Sequence, residues 1–285
     1  MKLGVMVSVR DFRDLSFPEA DFSELLLFNG DLARMDERFI AELARAKPQI
    51  AYVHAQEFVH HGGSRRLIDL TSEDEAFRAS CIKTLQDSRA LADSLGEVGL
   101  VIHPGGIRGS VVYSQPLLQN LERSLSELGP RGLLLENMPW YYWQKGAGRM
   151  VSNVCVSIES VARFSDMVDG FVLDTAHGYL SRQEGSQDYL RDFMGVLGGK
   201  VKHIHLSDAR APDKEGLQIG DGDIDFSFLK GSSLPVMIEV WNGHEQGGDG
   251  FREGIRRLRA MEIKLASAPS LEPKARITLP VIRVF

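Results

Sequence analysis

The sequence predicts a single α/β domain folded as a (β/α)8 barrel, the TIM-barrel architecture, with a metal site at the carboxyl ends of its parallel strands. Two observations support this prediction. Eight short apolar runs recur along the chain, and helical patterns lie between them. Six of these runs end on a residue type that binds metals. Strand–helix alternation repeated eight times over roughly 250 residues is typical of a closed parallel barrel.

The eight predicted strands are short, and several are apolar nearly throughout. This pattern is expected of strands that are buried on both faces of a parallel sheet. A doubly wound open sheet is the alternative arrangement, but no glycine-rich fingerprint follows the first strand. The predicted strands cover residues 3–9, 24–28, 49–54, 99–103, 132–136, 170–174, 201–205 and 235–239.

The clearest predicted helix begins near Ser72, which can form a capping box with Glu75, and ends at Gly96. The connection after the first strand, RDFRDLSFPEAD, is too short and too broken for a full helix. The apolar face of the clearest helix contains Phe77, Cys81, Ile82, Leu85, Leu91, Ala92 and Leu95. Weaker helical patterns cover about 36–46, 114–127, 157–165, 186–197 and 250–260.

The predicted domain spans residues 1–285, with a barrel core over about 1–262. The tail, about 263–285, does not fit the repeat. Packing across the barrel and assembly into a homo-oligomer are both open for it.

The composition is that of an ordinary soluble protein, with 43% hydrophobic and 25% charged residues. The net charge of −6 gives no general attraction to nucleic acid or to anionic membranes, although a local basic groove could still exist. The amino-terminal residues lack the apolar region of a signal peptide, and no apolar run approaches a membrane span. Cys81 and Cys155 are expected to be free thiols. We therefore expect a cytoplasmic protein without a membrane partner.

Six consecutive predicted strands, the third to the eighth, end on a potential metal ligand. One such residue alone is more often a cap or a satisfied polar contact. Six in succession indicate a shared site, because the strand ends of a barrel converge near its axis. The residues are His54, His103, Glu136, Asp174, His205 and Glu239.

The chemistry of these six side chains favours a divalent cation. Three carboxylates around one axis repel strongly unless a cation neutralises them. Mixed imidazole and carboxylate ligands suit Zn²⁺, Mn²⁺, Fe²⁺ or Co²⁺ better than Mg²⁺ or Ca²⁺ alone. The expected cofactor is therefore a divalent ion (Mn, Zn, Co or Mg), and the ligands suffice for two ions with one bridging carboxylate.

Seven strings between about residues 49 and 260 resemble the xylose-isomerase-like TIM-barrel superfamily. This superfamily contains sugar and sugar-phosphate isomerases and epimerases together with the type IV apurinic endonucleases. The strings are YVHAQEF, VIHPGG, LLLENMP, VLDTAHGY, HIHLSDAR, IGDGDIDF and MIEVWNG.

The resemblance implies a role for each strand-end residue. His54 and His103 match ligands of a second ion in the endonucleases, where Glu136 is the bridging carboxylate. His177 matches a histidine that contacts substrate in the epimerases and a third zinc ion in the endonucleases. The principal metal site matches Glu136, Asp174, His205 and Glu239.

The resemblance favours a metal-dependent sugar or sugar-phosphate isomerase or epimerase. Glu136 and Glu239 would exchange a carbon-bound proton as general base and acid. Arg210 resembles an arginine that holds a substrate hydroxyl. Trp140 lies in the aromatic loop 139–149, PWYYWQKGAGR, which either covers a sugar face or packs on the barrel rim.

The alternative is an endonuclease IV-like phosphodiester hydrolase with two or more zinc ions, whose partner would be nucleic acid. The presence of both His54 and His103 favours it. Against it, the segment APDKEGLQIGDG lacks the Asp-x-His of that branch, and Glu57 occupies a position where an aromatic residue is usual. A barrel that binds a sugar or metal without turnover is a third class, which the acid/base pair disfavours.

Three further features have two interpretations each. Gly105, Gly106 and Arg108 could hold a phosphate or form a plain turn. His203 points inward one layer below His205 and is expected to support the site rather than bind the ion. Asp208 is expected to cap or orient its neighbours.

Overall fold

Eight parallel strands close into a barrel in the computed structural model, which describes residues 1–112, 115–144 and 148–267. Each strand pairs with the next in the chain, and the last pairs with the first. The predicted fold class and all eight strands are confirmed, with ends that differ by at most two residues. Strands β1 to β8 are Leu3–Ser8, Phe22–Leu26, Ile50–His54, Gly99–Ile102, Leu133–Glu136, Gly170–Asp174, Val201–Leu206 and Val236–Ile238.

Helices α1 to α7 surround the barrel, and the segment between β1 and β2 forms turns rather than a helix, as predicted. The short α5 lies outside the predicted helical patterns. Residues 246–248 in α7 have positive φ angles, so its continuous part begins near the predicted residue 250. The helices are Glu37–Leu43, Glu75–Ser94, Gln115–Leu128, Ile158–Ala162, Thr175–Tyr179, Gln187–Leu197 and Glu245–Ser267. Short 3-10 helices cover Leu32–Arg34, Gly198–Lys200 and Phe226–Leu229.

The start of α2 differs from the prediction. Asp74, rather than Ser72, is the N-cap, and its carboxylate accepts a hydrogen bond from the Phe77 amide at 3.0 Å. The Ser72 hydroxyl accepts from the Asp74 amide instead. A carboxylate directly before the first helical residue can reach the free amides of the first turn, so the capping box is not needed. The predicted apolar face is buried.

Additional short strands lie in the connections that follow the barrel strands. They form two hairpins and a three-stranded sheet. Their strands are Phe58–His61 with Ser64–Leu67, Asp208–Arg210 with Lys214–Leu217, and Ile107–Arg108 with Tyr141–Gln144 and Gly148–Ser152.

The interior of the barrel is layered. Because alternate strand residues face the same side, positions two apart along a strand stack along the barrel axis. Val101, Leu134 and Val172 form an apolar cluster against Tyr52. Four of the predicted metal ligands lie two residues beyond these apolar residues, at the ends of β3 to β6. They are His54, His103, Glu136 and Asp174. The apolar layer therefore forms the floor beneath the polar site.

Both cysteines are free and buried, as expected. Among the described residues, none of the helices is long and apolar enough to cross a membrane. Helix α7 extends to Ser267 and so includes the first residues of the predicted tail. Residues 268–285, which make up the rest of the tail, lie outside the described part of the chain.

Candidate metal centre and its cavity

The six strand-end side chains come together at the carboxyl end of the barrel, and Glu24 and His177 join them. They form four overlapping groups of three, in each of which the potential ligand atoms lie within 4.8 Å of one another. The groups are Glu24, His54 and His205; His54, His103 and Glu136; Glu136, Asp174 and His177; and Asp174, His205 and Glu239.

Glu136 lies at the centre of the cluster, only 1% exposed and facing four imidazoles. Its Oε2 atom lies 3.5 Å from Nε2 of His54, 3.3 Å from Nε2 of His103 and 3.4 Å from Nδ1 of His205. Its Oε1 atom lies 3.0 Å from Nδ1 of His177. A carboxylate in this position is suited to bridge two ions.

Hydrogen bonds determine which imidazole nitrogen faces the centre. Nδ1 of His54 donates to the Ala55 carbonyl at 2.9 Å, so its Nε2 faces the centre. Nε2 of His205 lies 3.1 Å from the Glu24 carboxylate, so its Nδ1 faces Glu239 at 2.9 Å. Such partners fix the tautomer and orientation of metal-binding histidines.

Several buried atoms at the centre have no hydrogen-bond partner among the described residues. They are Oε2 of Glu136, Nδ1 of His205 and Oε2 of Glu239, since the 2.9 Å contact between the last two lacks the angles of a hydrogen bond. A buried polar atom left unpaired costs roughly 1–3 kcal/mol. Burial and the nearby carboxylates also raise the pKa of Asp174 well above its ordinary value. Because a divalent cation would satisfy these atoms and neutralise the carboxylates, the donor set fits a metal ion.

Asp174 is both a helix cap and a member of the ligand cluster. Its Oδ1 atom accepts a hydrogen bond from the His177 amide at 2.6 Å and so caps α5. Its amide donates to Oδ1 of Asn137 at 2.8 Å, which links the ends of β5 and β6. The cap orients the carboxylate without removing it from the cluster.

Glu24 belongs to the site but was missed by sequence reasoning. It lies within β2 with no exposed surface, and its Oε2 atom accepts from Nε2 of His203 at 2.7 Å. His203 stacks on Tyr52 one layer below the ligands, in agreement with its expected supporting role. Burial disfavours the charge of Glu24, but the imidazoles of His205 and His203 outweigh burial and lower its pKa. A lone carboxylate within the apolar run FSELLLF was the available signal.

A cavity of about 630 Å³ opens above the cluster and brings in two further acids. Glu57 accepts a hydrogen bond from the Tyr142 hydroxyl at 2.9 Å and lies 3.5 Å from Nδ1 of His103. Glu215 lies 3.5 Å from Nε2 of His177. Burial, reinforced by the charges of Glu239 and Glu57, raises the pKa of Glu215 to about 7.

The structure does not bring Arg210 and Trp140 into this cavity. The exposed Arg210 donates to the Asp221 carbonyl at 2.8 Å and faces Asp223. Trp140 lines a separate groove, with its amide bonded to the Leu180 carbonyl. From the predicted aromatic loop, Tyr142 and Trp143 line the cavity instead.

The position of Glu136 does not favour the catalytic role that the sequence predicts for it. It is enclosed by imidazoles and does not line the cavity, whereas Glu239 is 25% exposed and does. A proton carrier must reach the substrate, directly or through one water. The enclosed position of Glu136 is suited to a ligand rather than to a proton carrier.

Two loops have internal structural roles. Asp69 accepts from the Gly106 amide at 2.9 Å and pairs with Arg108 at 2.8 Å, so this segment forms a turn around a carboxylate of the chain itself. Asp208 accepts from the amides of Gly220 and Gly222 at 2.9 Å each and organises the loop that follows. The capping interpretation of Asp208 agrees with this geometry.

Metal affinity is expected to rise with pH. In the metal-free protein burial disfavours the charged form of His54, but Glu136 and Glu24 outweigh it and raise its pKa from 6.5 to about 9. A metal ion binds only the neutral imidazole and must displace this proton. The apparent association constant should therefore increase about tenfold per pH unit for each proton displaced, up to about pH 9. Calorimetric titration in buffers of different ionisation enthalpy measures the protons released, and a pH-independent affinity would contradict this.

The same shift has a consequence for stability. A raised folded-state pKa contributes stability that is fully present below the unfolded value of 6.5 and is lost as pH rises through about 9. The metal-free protein should therefore lose stability over this window, and the metal-loaded protein should lose less.

Comparison with known proteins identifies the family. Residues 19–261 match the family model described as xylose isomerase-like TIM barrel. A curated relative, a probable endonuclease 4 from Streptomyces avermitilis, is 26% identical over 248 residues, which is 79% of this chain and 76% of the relative.

Solved structures with low sequence identity share the fold. The crystal structure of a D-tagatose 3-epimerase-like protein has 20% identity and a TM-score of 0.67, and the match covers 94% of this chain and all of that one. The zinc-bound IOLI protein has 17% identity and a TM-score of 0.65, with 94% and 100% coverage. Because the family match extends over most of its length, the chain belongs to the xylose isomerase-like TIM-barrel family.

Proposed function

We propose that this protein is a metal-dependent isomerase or epimerase that acts on a sugar or sugar phosphate whose reacting end is an uncharged hydroxyketone or hydroxyaldehyde. The acidic lining of the cavity carries this proposal. Glu57, Glu215 and Glu239 all line it. A phosphodiester bears its negative charge at the reacting atom, so these carboxylates disfavour it, whereas a sugar hydroxyl can donate hydrogen bonds to them.

The fixed positive charges of the cavity lie at its rim. Among the described lining residues these charges belong to Arg10 and Arg65, which are exposed. The Arg10 guanidinium lies 5.5 Å from the Phe28 ring centroid, and that of Arg65 lies 3.7 Å from the Phe58 ring centroid. A phosphate on the far end of the substrate could reach the rim, while the reacting carbon stays among the acids.

Acid–base chemistry would be divided between Glu239 and Glu215. When bound by the ligand cluster, a divalent ion would polarise the substrate carbonyl and so acidify the carbon–hydrogen bond next to it, whose electron pair moves to the carbonyl oxygen. Glu239 would accept that proton, and Glu215 would return one, because a pKa of about 7 allows both protonation states near neutral pH. In an epimerisation the carbon–hydrogen bond breaks on one face and re-forms on the other.

An endonuclease IV-like hydrolase is the second candidate. It is favoured by the central position of Glu136 between His54 and His103, which suits two ions, and by the name of the Streptomyces avermitilis relative. In that function the two ions would activate water and stabilise the phosphorus centre.

Metal content and substrate together distinguish the two functions. Protein purified without chelators is expected to hold one essential ion per chain by elemental analysis and to interconvert a member of a panel of free and phosphorylated sugars. Two or three tightly held zinc ions together with cleavage of abasic-site DNA would overturn the proposal.

His54→Ala provides a second test. An isomerase with one essential ion should keep at least about a tenth of its turnover, while a two-metal hydrolase should lose a factor of about 100 or more. His60→Ala is the matched control, because His60 is exposed on the hairpin after β3. Near-complete inactivation by His54→Ala alone would favour the hydrolase.

A further inference from the structure

The mouth of the cavity carries an unusual set of exposed rings. Among the described residues, the large hydrophobic side chains with the greatest exposure include three aromatic ones, and all three line this cavity. They are Phe28 at 40%, Trp143 at 49% and Trp241 at 55%. Exposed apolar residues scattered singly are normal in proteins, but exposed rings gathered at one opening indicate a binding surface.

The three rings come from well-separated parts of the barrel. Phe28 follows β2, Trp143 lies in the short strand after β5, and Trp241 follows β8. Strands 2, 5 and 8 are spread around the closed barrel, so the rings stand on different sides of the opening. The exposed aliphatic residues Val111, Val112 and Val196 do not line the cavity.

Trp241 is held in place with part of its ring free. Its amide donates to the Gly216 carbonyl at 2.9 Å. Its ring rests on the Cα side of Gly216, where an added Cβ would lie 2.2 Å from the indole carbons. Packing against a glycine orients the ring, while more than half of the side chain remains available to a ligand.

The surroundings of Trp241 indicate the chemistry of that ligand. Glu215, the residue before Gly216, lines the same cavity and has an Oε2 atom with no hydrogen-bond partner among the described residues. A sugar ring presents an apolar C–H face to an aromatic side chain and hydroxyl groups to a neighbouring carboxyl. A cavity of about 630 Å³ is also within the range that holds drug-sized ligands, which are larger than one hexose.

We propose that the aromatic mouth formed by Phe28, Trp143 and Trp241 is a subsite for a second ring attached to the reacting sugar, so that the substrate is a glycoside. The proposal rests on the proposed sugar chemistry and deepens it. The reacting sugar lies on the ligand cluster with a carbonyl at a carbon outside the glycosidic bond, and the attached ring, either another sugar or an aryl group, stacks at the mouth.

Tryptophan fluorescence tests the subsite directly. The chain contains three tryptophans, and Trp140 lies outside the cavity, so Trp140→Phe leaves emission from the two at the mouth. The metal-loaded protein with this substitution is titrated with glucose, cellobiose, maltose and phenyl β-glucoside. At least one of the three ring-bearing probes should change the emission and bind about tenfold or more tightly than glucose.

Substitutions at the mouth provide the decisive comparison. Trp241→Ala should reduce the affinity for the ring-bearing probe to within about twofold of that for glucose and leave glucose binding unchanged. Trp143→Ala should act in the same direction. Val196→Ala, an exposed aliphatic residue outside the cavity, is the control. No preference for any ring-bearing probe, or an equal loss for glucose and glycoside in Trp241→Ala, would overturn the subsite.

The experiments distinguish failure of the subsite from failure of the proposed isomerase function. Turnover of free sugars, together with binding of the ring-bearing probes that is indifferent to Trp241→Ala, would leave the isomerase function standing and remove the subsite. Trp241-dependent binding of cellobiose or phenyl β-glucoside without turnover of any sugar would leave the subsite standing and remove the reaction. Whether a sugar or an aryl ring is preferred follows from comparing cellobiose and maltose with phenyl β-glucoside.

Discussion

Glu239→Gln is expected to lower turnover by at least about 1,000-fold while the fold is retained. The amide keeps the shape of the side chain but can neither carry the proton nor supply the charge that faces Nδ1 of His205 at 2.9 Å. General acid–base catalysis alone contributes roughly 100- to 10,000-fold. The hydrogen bond from the backbone N–H of residue 239 to the Leu206 carbonyl is unaffected by the substitution, so the end of β8 should stay in place.

The measurement compares kcat, bound metal and circular dichroism for Glu239→Gln and the wild type. Glu184→Gln is the matched control, because Glu184 is exposed and lies outside the residues that line the cavity. Metal content separates loss of the ion from loss of the proton carrier, since restoring metal occupancy at high concentration should not restore turnover. Activity near that of the wild type would refute the assignment of Glu239.

Glu24→Gln should have the second-largest effect, although Glu24 does not line the cavity. Metal affinity is expected to fall by about 10- to 100-fold, as it does when the partner of a metal-binding histidine is removed. The Glu24 carboxylate holds Nε2 of His205 as a donor and so directs Nδ1 toward the ligand cluster. A glutamine can turn its amide group toward Nε2, which permits the opposite tautomer and removes the Nδ1 lone pair from the site.

The experiment is a competition titration with a chelator, supported by the visible spectrum of the Co²⁺ form. Glu24→Asp keeps the negative charge and should retain more metal affinity than Glu24→Gln. If Glu24 only filled space, Glu24→Gln, which keeps the shape of the side chain, would retain more. Glu37→Gln, an exposed change in α1, is the control. The titrations belong at a temperature where the metal-free variant is folded, because breaking a buried ion pair costs roughly 3–5 kcal/mol. An affinity within about twofold of the wild type would contradict the positioning role.

The barrel and the convergence of the six strand-end residues could be predicted because both follow from local periodicity. Alternate strand residues face the same side, and the ends of eight parallel strands meet at one edge of a closed barrel. His54, Glu136 and His205 therefore occupy one layer of the barrel independently of the conformation of the loops. Glu24 escaped the prediction because β2 was expected to start at residue 24, whereas the strand begins at Phe22 and contains Glu24 within it.

The loops required the tertiary structure. Arg210 is predicted from a resemblance and Trp140 from the aromatic composition of its loop, but a loop side chain is directed by what the loop packs against, and both lie outside the cavity. Glu215 reaches the cavity through a hairpin that folds over the barrel end. The pKa of Glu215 depends on its burial near other acids, which come from distant parts of the chain and cannot be predicted from the local sequence.

The barrel and its ring of potential metal ligands follow from the amino-acid sequence alone, because strand periodicity and closure place these residues together. Which carboxylates line the cavity, which histidine nitrogen faces the centre and which aromatic rings surround the opening are visible in the tertiary structure alone. These features depend on contacts between distant segments, where burial and hydrogen bonding set the orientation of each side chain.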